Sequence, residues 1–573
     1  MNVAEVEDEV VLVDNNALQP GAAASAAALL ATTLAGCGGG GDSSGSGTGM
    51  GGGGGSGAPT PPTAAEASRF LAQASMGASR SQIARVQAIG YSAWLDEQFA
   101  LPPSATRWDA LVAAGYSDPS YKNTEAGFDA SAWRKLLASP DTLRQRVTLA
   151  LSEIYVTAID GLTGGGWKAF AAANYLDLLE ANAFGNHRSL LQQISGNTAM
   201  GMFLTFRGSM KGNPVSGALP DENYARELMQ LFTIGLVQLT LDGTPQLSAG
   251  ATTPTYALAD ITGLARVFTG WDFDLAGQSG AVASATPDFI RRPLINYAPR
   301  YETGAKTFLG TTIAAGTDPT VGLMMALDAI FAHPNVAPFT SRQLIQRLVT
   351  SNPSPAYVAR VATVFNNDGS GVKGNLQAVL KAILLDDEAR NASIAAGASA
   401  GKLREPMLRF AAWARAWNVA SPSNAWAVGN TSDAATRLGQ SPLRSPSVFN
   451  FFRPGYVPPN SAIASAALVA PEFQITNESS VVGAVNFLQR AISGGQGDLA
   501  ADYSALLAIA DDAAALIAEI NLVLAANQLS ASTTATISAA VATMPSGTDP
   551  NRLKRIYASL TLALAAPEFV VLK

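Results

Sequence analysis

Cysteine and histidine are almost missing from this chain of 573 residues, which holds one Cys and two His. A single cysteine excludes an internal disulfide and any metal cluster built from thiolates, because both need more than one sulfur. The two histidines, His187 and His333, are too few for a histidine-rich zinc or iron site. A Ser-His-Asp arrangement stays open, but it must use one of these two residues. We expect neither a metal nor a cofactor.

Charged side chains are also scarce, at 14% of the residues against 48% hydrophobic ones. Residues 1–65 hold six acidic side chains and no Lys or Arg, which leaves 38 acidic and 37 basic side chains in the rest. A nearly neutral body lacks the basic face that neutralises phosphates, so nucleic acid is not an expected partner. The apolar content is enough for a large core and excludes a disordered protein.

The single cysteine follows an uncharged segment of small and apolar residues, 22–36. The ending Leu34-Ala35-Gly36-Cys37 resembles a bacterial lipobox, in which a peptidase cuts before the cysteine and the thiol carries a diacylglycerol. Residues 38–57 are almost wholly Gly, Ser and Thr, a composition typical of flexible tethers. The acidic start departs from the positive n-region of signal peptides. The alternative is therefore a disordered acidic head with a chance Leu-Ala-Gly-Cys.

We expect residues 1–36 to be an atypical lipoprotein signal segment, 37–65 a tether, and 66–573 one helical domain. The protein would then be exported and held in the cell envelope by lipid on Cys37. Gly38, in place of Asp, favours the outer membrane over the inner one. No later segment has 18 uncharged apolar residues, so we expect no transmembrane helix.

Helical signals dominate the body. Ser139-Pro140 and Ser354-Pro355 are typical helix starts, since proline suits the first turn. Apolar residues then recur at helical spacing, as at Leu143, Val147 and Leu151. The predicted helices include 64–77, 79–89, 168–182, 222–236, 258–268, 320–332, 338–350, 355–365, 374–386, 402–417, 498–527 and 550–566.

Strand signals are sparse. Residues 237–256 contain Asp242-Gly243, a pair that suits a tight turn, and this segment allows a short hairpin. Residues 272–312 are predicted to form a long irregular excursion. The fold class is therefore mainly α: a large single multi-helix domain with a small β-hairpin insert, after the Gly/Ser-rich tether.

The densest group of chemically capable side chains lies between Pro220 and Leu228. Asp221 suits a helix N-cap, and Glu222 can pair with Arg226 because they are four residues apart. Glu227 lies beside the apolar stripe, where a carboxyl group can have a raised pKa and act as an acid or base. The alternative is a capped helix with one surface ion pair and a solvated Glu227.

Three further groups are weaker candidates. His187 follows a predicted Gly turn and is either a general base or a turn residue held by hydrogen bonds. His333, between two predicted helices, is expected in a turn. Asp386, Asp387 and Glu388 end a helix, where their charge opposes the helix dipole and indicates a cation or Arg partner.

Several motifs together resemble the bacterial family called domain of unknown function 1800, from about residue 66 to the C-terminus. Five of their residues are candidates for binding: Asp221, Arg266, Trp271, Arg404 and Glu405. The motifs are Arg69-Phe70-Leu71-Ala72-Gln73-Ala74, Leu151-Ser152-Glu153-Ile154, Ala183-Phe184-Gly185-Asn186, Asp221-Glu222-Asn223-Tyr224-Ala225-Arg226-Glu227, Ala265-Arg266-Val267-Phe268-Thr269-Gly270-Trp271, Lys306-Thr307-Phe308-Leu309-Gly310, Gly401-Lys402-Leu403-Arg404-Glu405-Pro406 and Pro446-Ser447-Val448-Phe449-Asn450-Phe451.

This resemblance implies an exported helical protein and no known activity. The family is commonly encoded beside one that resembles the sulfatase and alkaline phosphatase superfamily, which implies an exported partner. Two functions stay open: a lipid-anchored binding or scaffold protein working with that partner, and a hydrolase of an envelope polymer. The hydrolase would need Glu222 or Glu227 and Arg226 to converge with His187 or Arg266 in one cleft. Whether the protein is an enzyme is thus undecided by its sequence.

Overall fold

The structure is a computed structural model that describes residues 61–276 and 285–573. The signal segment, Cys37 and the tether up to residue 60 lie outside the described residues. Local capping sets the first helix: Thr63 accepts a hydrogen bond from the Glu66 backbone N–H, and the Glu66 carboxylate accepts one from the Thr63 backbone N–H. This reciprocal pattern satisfies two donors that a helix start leaves free.

The described residues contain 24 α-helices and only short antiparallel strand pairs, which confirms the mainly α fold. Most predicted helices are present with shifts of a few residues at their ends. The helices are Ala64–Ala74, Arg80–Ala100, Arg107–Ala113, Phe128–Ala138, Thr142–Ile154, Lys168–Ala181, His187–Ser195, Thr198–Phe203, Asn223–Glu227, Leu258–Ala265, Pro319–Ala332, Val336–Leu348, Pro355–Asn366, Leu376–Leu385, Asp387–Arg390, Ala392–Ala395, Pro406–Ala416, Ala462–Ser465, Glu478–Ile492, Ser504–Leu507, Ala513–Ala525, Ala531–Ala542, Asp549–Ala565 and Pro567–Val570.

Four short antiparallel strand pairs accompany the helices in the described residues. The predicted hairpin segment 237–256 contains one of them, preceded by a bridge between Leu239 and Pro245 across the Asp-Gly turn. The segment 272–312 is less irregular than expected, because it contributes strands to two further pairs. The pairs are Leu247–Ser248 with Ala251–Thr252, Trp271–Asp272 with Ile295–Asn296, Lys306–Phe308 with Thr311–Ile313, and Lys402–Leu403 with Val571–Leu572.

The prediction of one helix over 402–417 is wrong at its start. Lys402–Leu403 is a strand paired with Val571–Leu572, and the helix begins only at Pro406. Proline disfavours helical geometry in the residue before it, and Glu405 is extended, with φ −60° and ψ 147°. The helix therefore cannot continue backwards through Glu405.

Two other predicted helices are divided. Residues 498–527 contain Ser504–Leu507 and then Ala513–Ala525, because the Asp512 carboxylate accepts hydrogen bonds from two backbone N–H groups and starts a new helix. Residues 222–236 form the α-helix Asn223–Glu227, followed directly by a π-helix, Leu228–Thr233.

The core is continuous through the described residues. Large side chains such as Trp94, Trp133 and Trp413 are fully buried in it. None of the helices in residues 61–276 and 285–573 combines the length and apolar character needed to cross a membrane.

A close approach in this core predicts a strong substitution effect. A Cβ at Gly263, in the helix Leu258–Ala265, would lie 1.9 Å from the carbonyl oxygen of Thr307. Gly263→Ala should therefore lower the free energy of unfolding by about 3 kcal/mol, because helix and strand must separate. Urea unfolding monitored by circular dichroism measures this. Gly455→Ala is the matched control, since a Cβ there meets nothing within 4 Å; equal losses in both variants would contradict the prediction.

Candidate functional site

An apolar cavity of about 390 Å³ is a candidate site in the described residues. Leu231, Val237, Phe339 and Val448 contribute to its walls, and Phe449 lies at its edge. Typical small-molecule sites occupy about 300–1,000 Å³ and are mostly apolar with a few polar groups. The cavity therefore has the size and lining of a binding site.

A π-helix forms part of this wall. Leu228–Thr233 contributes Gln230 and Leu231 to the lining. The backbone N–H groups of both Ile234 and Gly235 donate to the Met229 carbonyl, at 2.9 and 3.0 Å, which closes the widened turn. Wide turns of this kind are frequent at functional sites because they displace side chains from the ordinary helical path.

Charged side chains lie at the floor of the cavity. Glu153 and Arg347 both line it, with Arg347 Nε 3.6 Å from Glu153 Oε2, and both side chains are buried. Behind them, Lys402 Nζ lies 3.0 Å from Glu472 Oε1 and 3.6 Å from Glu405 Oε1. With the fully buried Arg146, the cluster holds three acidic and three basic side chains: Glu153, Glu405, Glu472, Arg146, Arg347 and Lys402.

The carboxyl groups of Glu153 and Glu405 interact, and each changes the pKa of the other. Burial and then the charge of Glu405 raise the pKa of Glu153 well above its usual value. Burial opposes ionisation of Glu405 as well, but the hydrogen bond from Glu153 and the cations Lys402 and Arg146 outweigh it and lower its pKa to about 2. Two carboxylates cannot both ionise at this contact. Glu153 is therefore the protonated partner and donates to Glu405.

Three motifs of the family resemblance meet at this place. Glu153 belongs to 151–154, Glu405 and Lys402 to 401–406, and Phe449 to 446–451. Glu405 was predicted as a binding residue, whereas Glu153 and Lys402 were noted only as motif members. Their role depends on pairing between distant segments, which local patterns do not report. Arg347 carried no sequence signal at all.

The predicted pair of Glu222 and Arg226 is confirmed, at 3.2 Å. Glu222 also accepts a hydrogen bond from Thr262 Oγ1 at 2.7 Å. The predicted N-cap position of Asp221 is wrong by one residue, because the helix Asn223–Glu227 has Glu222 at its N-cap; the Asp221 carboxylate, one residue earlier, accepts from the Asn223 backbone N–H at 2.8 Å. These side chains lie at the start of the α-helix that precedes the π-helix, and they do not line the apolar cavity.

Glu227 lies in the kind of buried environment that raises the pKa of a carboxyl group. It is 7% exposed, and its Oε2 atom has no hydrogen-bond partner in the described residues. Burial raises its pKa to about 7, although the charge of Arg226 opposes the shift. Glu227 therefore changes protonation near neutral pH.

His187 is locked in the core. Its Nε2 lies 2.6 Å from the Tyr155 hydroxyl, and its ring stacks on Phe331 with centroids 6.0 Å apart. Burial, followed by the charge of Lys373, lowers the pKa of His187 to about 3. The imidazole is neutral at physiological pH. No hydrogen bond in the described part of the chain joins His187 to Glu222 or Glu227.

The other candidate binding residues are dispersed. Arg266 Nη2 lies 3.5 Å from Glu302 Oε1. Trp271 donates from Nε1 to a backbone carbonyl at 3.0 Å, and Arg404 donates from Nη1 to another at 3.1 Å. None of the three lines the apolar cavity.

Two local predictions are confirmed. His333 lies in a turn, where its Nδ1 accepts from the Asn335 backbone N–H at 3.1 Å. Arg360 is the expected Arg partner of the acidic group, with Nε 2.7 Å from Asp386 Oδ2 and Nη2 3.3 Å from Glu388 Oε1. The expected opposition to a helix dipole is wrong for Asp387 and Glu388, because Asp386 caps a new helix, Asp387–Arg390, and both residues lie in its first turn, where negative charge is favourable. Across residues 61–276 and 285–573, no group of three or more His, Cys, Asp or Glu side chains could hold a metal ion.

Fold and site together define a large mainly α protein with an apolar cavity above a buried carboxyl pair. A family model described as a protein of unknown function (DUF1800) matches residues 69–571. The chain belongs to this family. Searches of curated proteins and of solved structures returned no match.

The carboxyl pair predicts opposite outcomes for two substitutions. Glu153→Gln should change the free energy of unfolding by less than about 1 kcal/mol, because the amide can donate to Glu405 as the protonated carboxyl group does. Lys402→Met should cost about 3–5 kcal/mol, because it leaves Glu405 and Glu472 without their nearest cation. Chemical unfolding at neutral pH compares them. A similar large loss in Glu153→Gln would mean that Glu153 is ionised.

Glu227 predicts a pH dependence. Its folded-state pKa of about 7 exceeds the value of about 4.3 for an unperturbed Glu, so the folded state binds more protons between these values. Stability should fall as pH rises from about 4.5 to 7, by roughly 2 kcal/mol after allowance for solvent screening. In Glu227→Gln this fall should vanish, making the variant relatively more stable above pH 7. Glu222→Gln serves as the control, and an identical pH profile for all three proteins would disprove the assignment.

Proposed function

We propose that this protein is an exported lipoprotein of the cell envelope that binds an exported partner protein at the apolar cavity. The observation that most supports this proposal is that the cavity and its rim expose large apolar side chains beside polar amide groups. Lipid attachment at Cys37 and a place on the outer membrane are parts of the proposal that rest on the sequence alone.

The rim supports a protein partner. Leu236 and Phe449 line the cavity and are 56% and 37% exposed, and Leu247, in the adjoining hairpin segment, is 65% exposed. Contiguous exposed apolar surface marks interaction sites, because its burial against a partner removes it from water. A surface of this kind, close to a preformed cavity, fits an apolar anchor side chain of a partner.

Polar groups in the wall support a peptide as the bound segment. Gln230 and Gln343 present amide groups among apolar neighbours, and amides pair well with an extended backbone. The proposed partner is the exported sulfatase- or alkaline-phosphatase-like protein that the family resemblance implies. Its backbone and apolar side chains would meet the amides and the cavity respectively.

A hydrolase acting on an envelope polymer is the second candidate. The observation that favours it is the pKa of about 7 for Glu227, which suits general acid–base work at neutral pH. Its neighbour Glu222 is held by Arg226 and Thr262, and His187 is enclosed by the core. Because these groups do not share a cleft, the binding function is the better supported of the two.

The test is affinity purification of the tagged full-length protein from detergent-solubilised native envelopes, followed by mass spectrometry. One exported protein should be recovered in stoichiometric amount. The double variant Leu236→Asp, Phe449→Asp should recover at least tenfold less, since burying charge at the rim is costly. Both sites are exposed enough for the fold to tolerate the change.

Val215→Asp is the matched control, because Val215 is exposed and does not line the cavity; it should recover the partner normally. Cys37→Ser should release the protein from the membrane fraction. Recovery of the same partner by the double variant would reject the cavity as its site. A preparation without any exported partner would favour the hydrolase, to be assayed on envelope glycans with Glu227→Gln as the inactive form.

A further inference from the structure

A second cavity, of about 500 Å³, differs from the first in its charge. It lies against the helices Ala64–Ala74 and Val336–Leu348, which contribute Arg69 and Arg342 to its wall. Lys573 also lines it and donates from Nζ to a backbone carbonyl at 3.3 Å. Neither Arg69 nor Arg342 forms an ion pair with a carboxylate in the described residues, which makes this cavity a candidate anion site.

Arg69 is buried and incompletely paired. Its side chain is 6% exposed, and its Nη1 atom has no hydrogen-bond partner in the described residues. Its Nη2 atom donates to the backbone carbonyl of Arg390. Burial lowers the pKa of Arg69, while Tyr91 and Glu66 oppose the shift. Glu66 itself is held by Thr63 in the capping interaction, so its carboxylate is not directed into the cavity.

Arg390 places a second cation behind Arg69. All three of its guanidinium nitrogens are buried without a hydrogen-bond partner in the described residues. The guanidinium carbon lies 5.0 Å from the ring centroid of Phe70 and 5.4 Å from that of Tyr91, so it is held between aromatic faces. Burial and the charge of Arg69 lower the pKa of Arg390 to about 9, which leaves it charged at neutral pH.

Arg342 adds a third cation at the exposed side. Burial lowers its pKa, and no neighbouring carboxylate offsets the shift. The Arg342 side chain lines both this cavity and the apolar one. Glu388 is a carboxylate on the wall, but it accepts from Ser354 and is paired with Arg360 at 3.3 Å. The cavity wall therefore holds two arginines, Arg69 and Arg342, that form no ion pair in the described residues, while its carboxylate is paired elsewhere.

Burying the Arg69 and Arg390 guanidinium groups without a counter-charge costs free energy, unless a bound anion supplies that counter-charge. A buried charge without a counter-charge loses hydration and gains nothing in exchange. Guanidinium groups match phosphate oxygens with paired hydrogen bonds, and a phosphomonoester carries about −1.5 to −2 charge at neutral pH. The negative charge of a phosphomonoester matches the positive charge of Arg69 and Arg342 at the wall, with Arg390 behind Arg69. The volume also exceeds that of one phosphate group, leaving space for the organic part of an ester.

We propose that the cavity between Arg69 and Arg342 binds a phosphomonoester group. The group can belong to a soluble phosphoester or to the headgroup of an acidic lipid such as phosphatidic acid, since both present the same dianion. This site adjoins the partner-binding cavity, with which it shares Arg342, and its existence does not depend on that proposal.

The experiment uses the purified full-length Cys37→Ser protein without detergent, because a lipid on Cys37 would attach the protein to any vesicle and detergent would dissolve the vesicles. One arm titrates glycerol phosphate and inorganic phosphate by calorimetry, with thermal unfolding as a second readout. The other arm measures binding to phosphatidylcholine vesicles with and without phosphatidic acid. Binding in the first arm assigns a soluble ligand, and binding only to vesicles with phosphatidic acid assigns a lipid.

Two variants locate the binding. Arg342→Gln should weaken it at least tenfold, which corresponds to about 1.4 kcal/mol. Arg69→Met should abolish it while leaving the ligand-free midpoint of thermal unfolding unchanged or higher, because an unpaired buried charge is removed. A variant that had merely misfolded would show a lower midpoint. Arg80→Gln, which removes an exposed arginine paired with Glu519, should bind as the wild type does.

Three results would overturn the proposal. Absence of binding in both arms would show that the cations are not a ligand site. Equal binding by Arg342→Gln and the wild type would place the anion elsewhere. Tighter binding of malonate than of glycerol phosphate would replace the phosphate class with a dicarboxylate.

Discussion

The desolvation of charged side chains is the constraint on which this structure depends most. Glu153, Arg347, Lys402, Glu405 and Glu472 come from four separate segments, yet each is buried next to an opposite charge or a shared proton. A charge in a low-dielectric interior is tolerated only with such partners, and removing one partner leaves the other uncompensated. The cluster therefore ties these segments to one arrangement, and it supplies the polar floor beneath an otherwise apolar cavity.

The same constraint has a different outcome on the other side of Arg342. There the arginines Arg69 and Arg390 are buried without carboxylates, and aromatic rings hold one of them in place. The first cluster thus places carboxylates beside its cations, whereas Arg69 and Arg390 form no ion pair with a carboxylate in the described residues. Two adjoining cavities of such different character, which share Arg342, match the two proposed ligands, an apolar segment and an anion.

Features that depend on near neighbours could be predicted from the sequence. Ser354 caps the helix Pro355–Asn366 as expected, because its hydroxyl accepts from the backbone at the first turn. The same pattern at Ser139-Pro140 was misleading, since Ser139 ends the helix Phe128–Ala138 and the next helix begins only at Thr142. The Glu222–Arg226 pair was equally accessible, because four residues of helix place the two side chains side by side. The π-helix after Glu227 was not, because hydrophobic spacing does not distinguish it from an α-helix continued over the same residues.

The sequence by itself determined the mainly α fold and several helix starts, such as that at Ser354-Pro355, because local capping and periodicity encode them. The family was recognised separately, from its motifs. Only the tertiary structure decided which charged side chains are buried together and which are buried without a partner. Glu153 and Glu405 lie in different motifs, and their shared proton exists only where packing brings the two carboxyl groups together. Arg69 is likewise an ordinary helix residue in the sequence, and its lack of a counter-charge appears only when the surrounding helices exclude water.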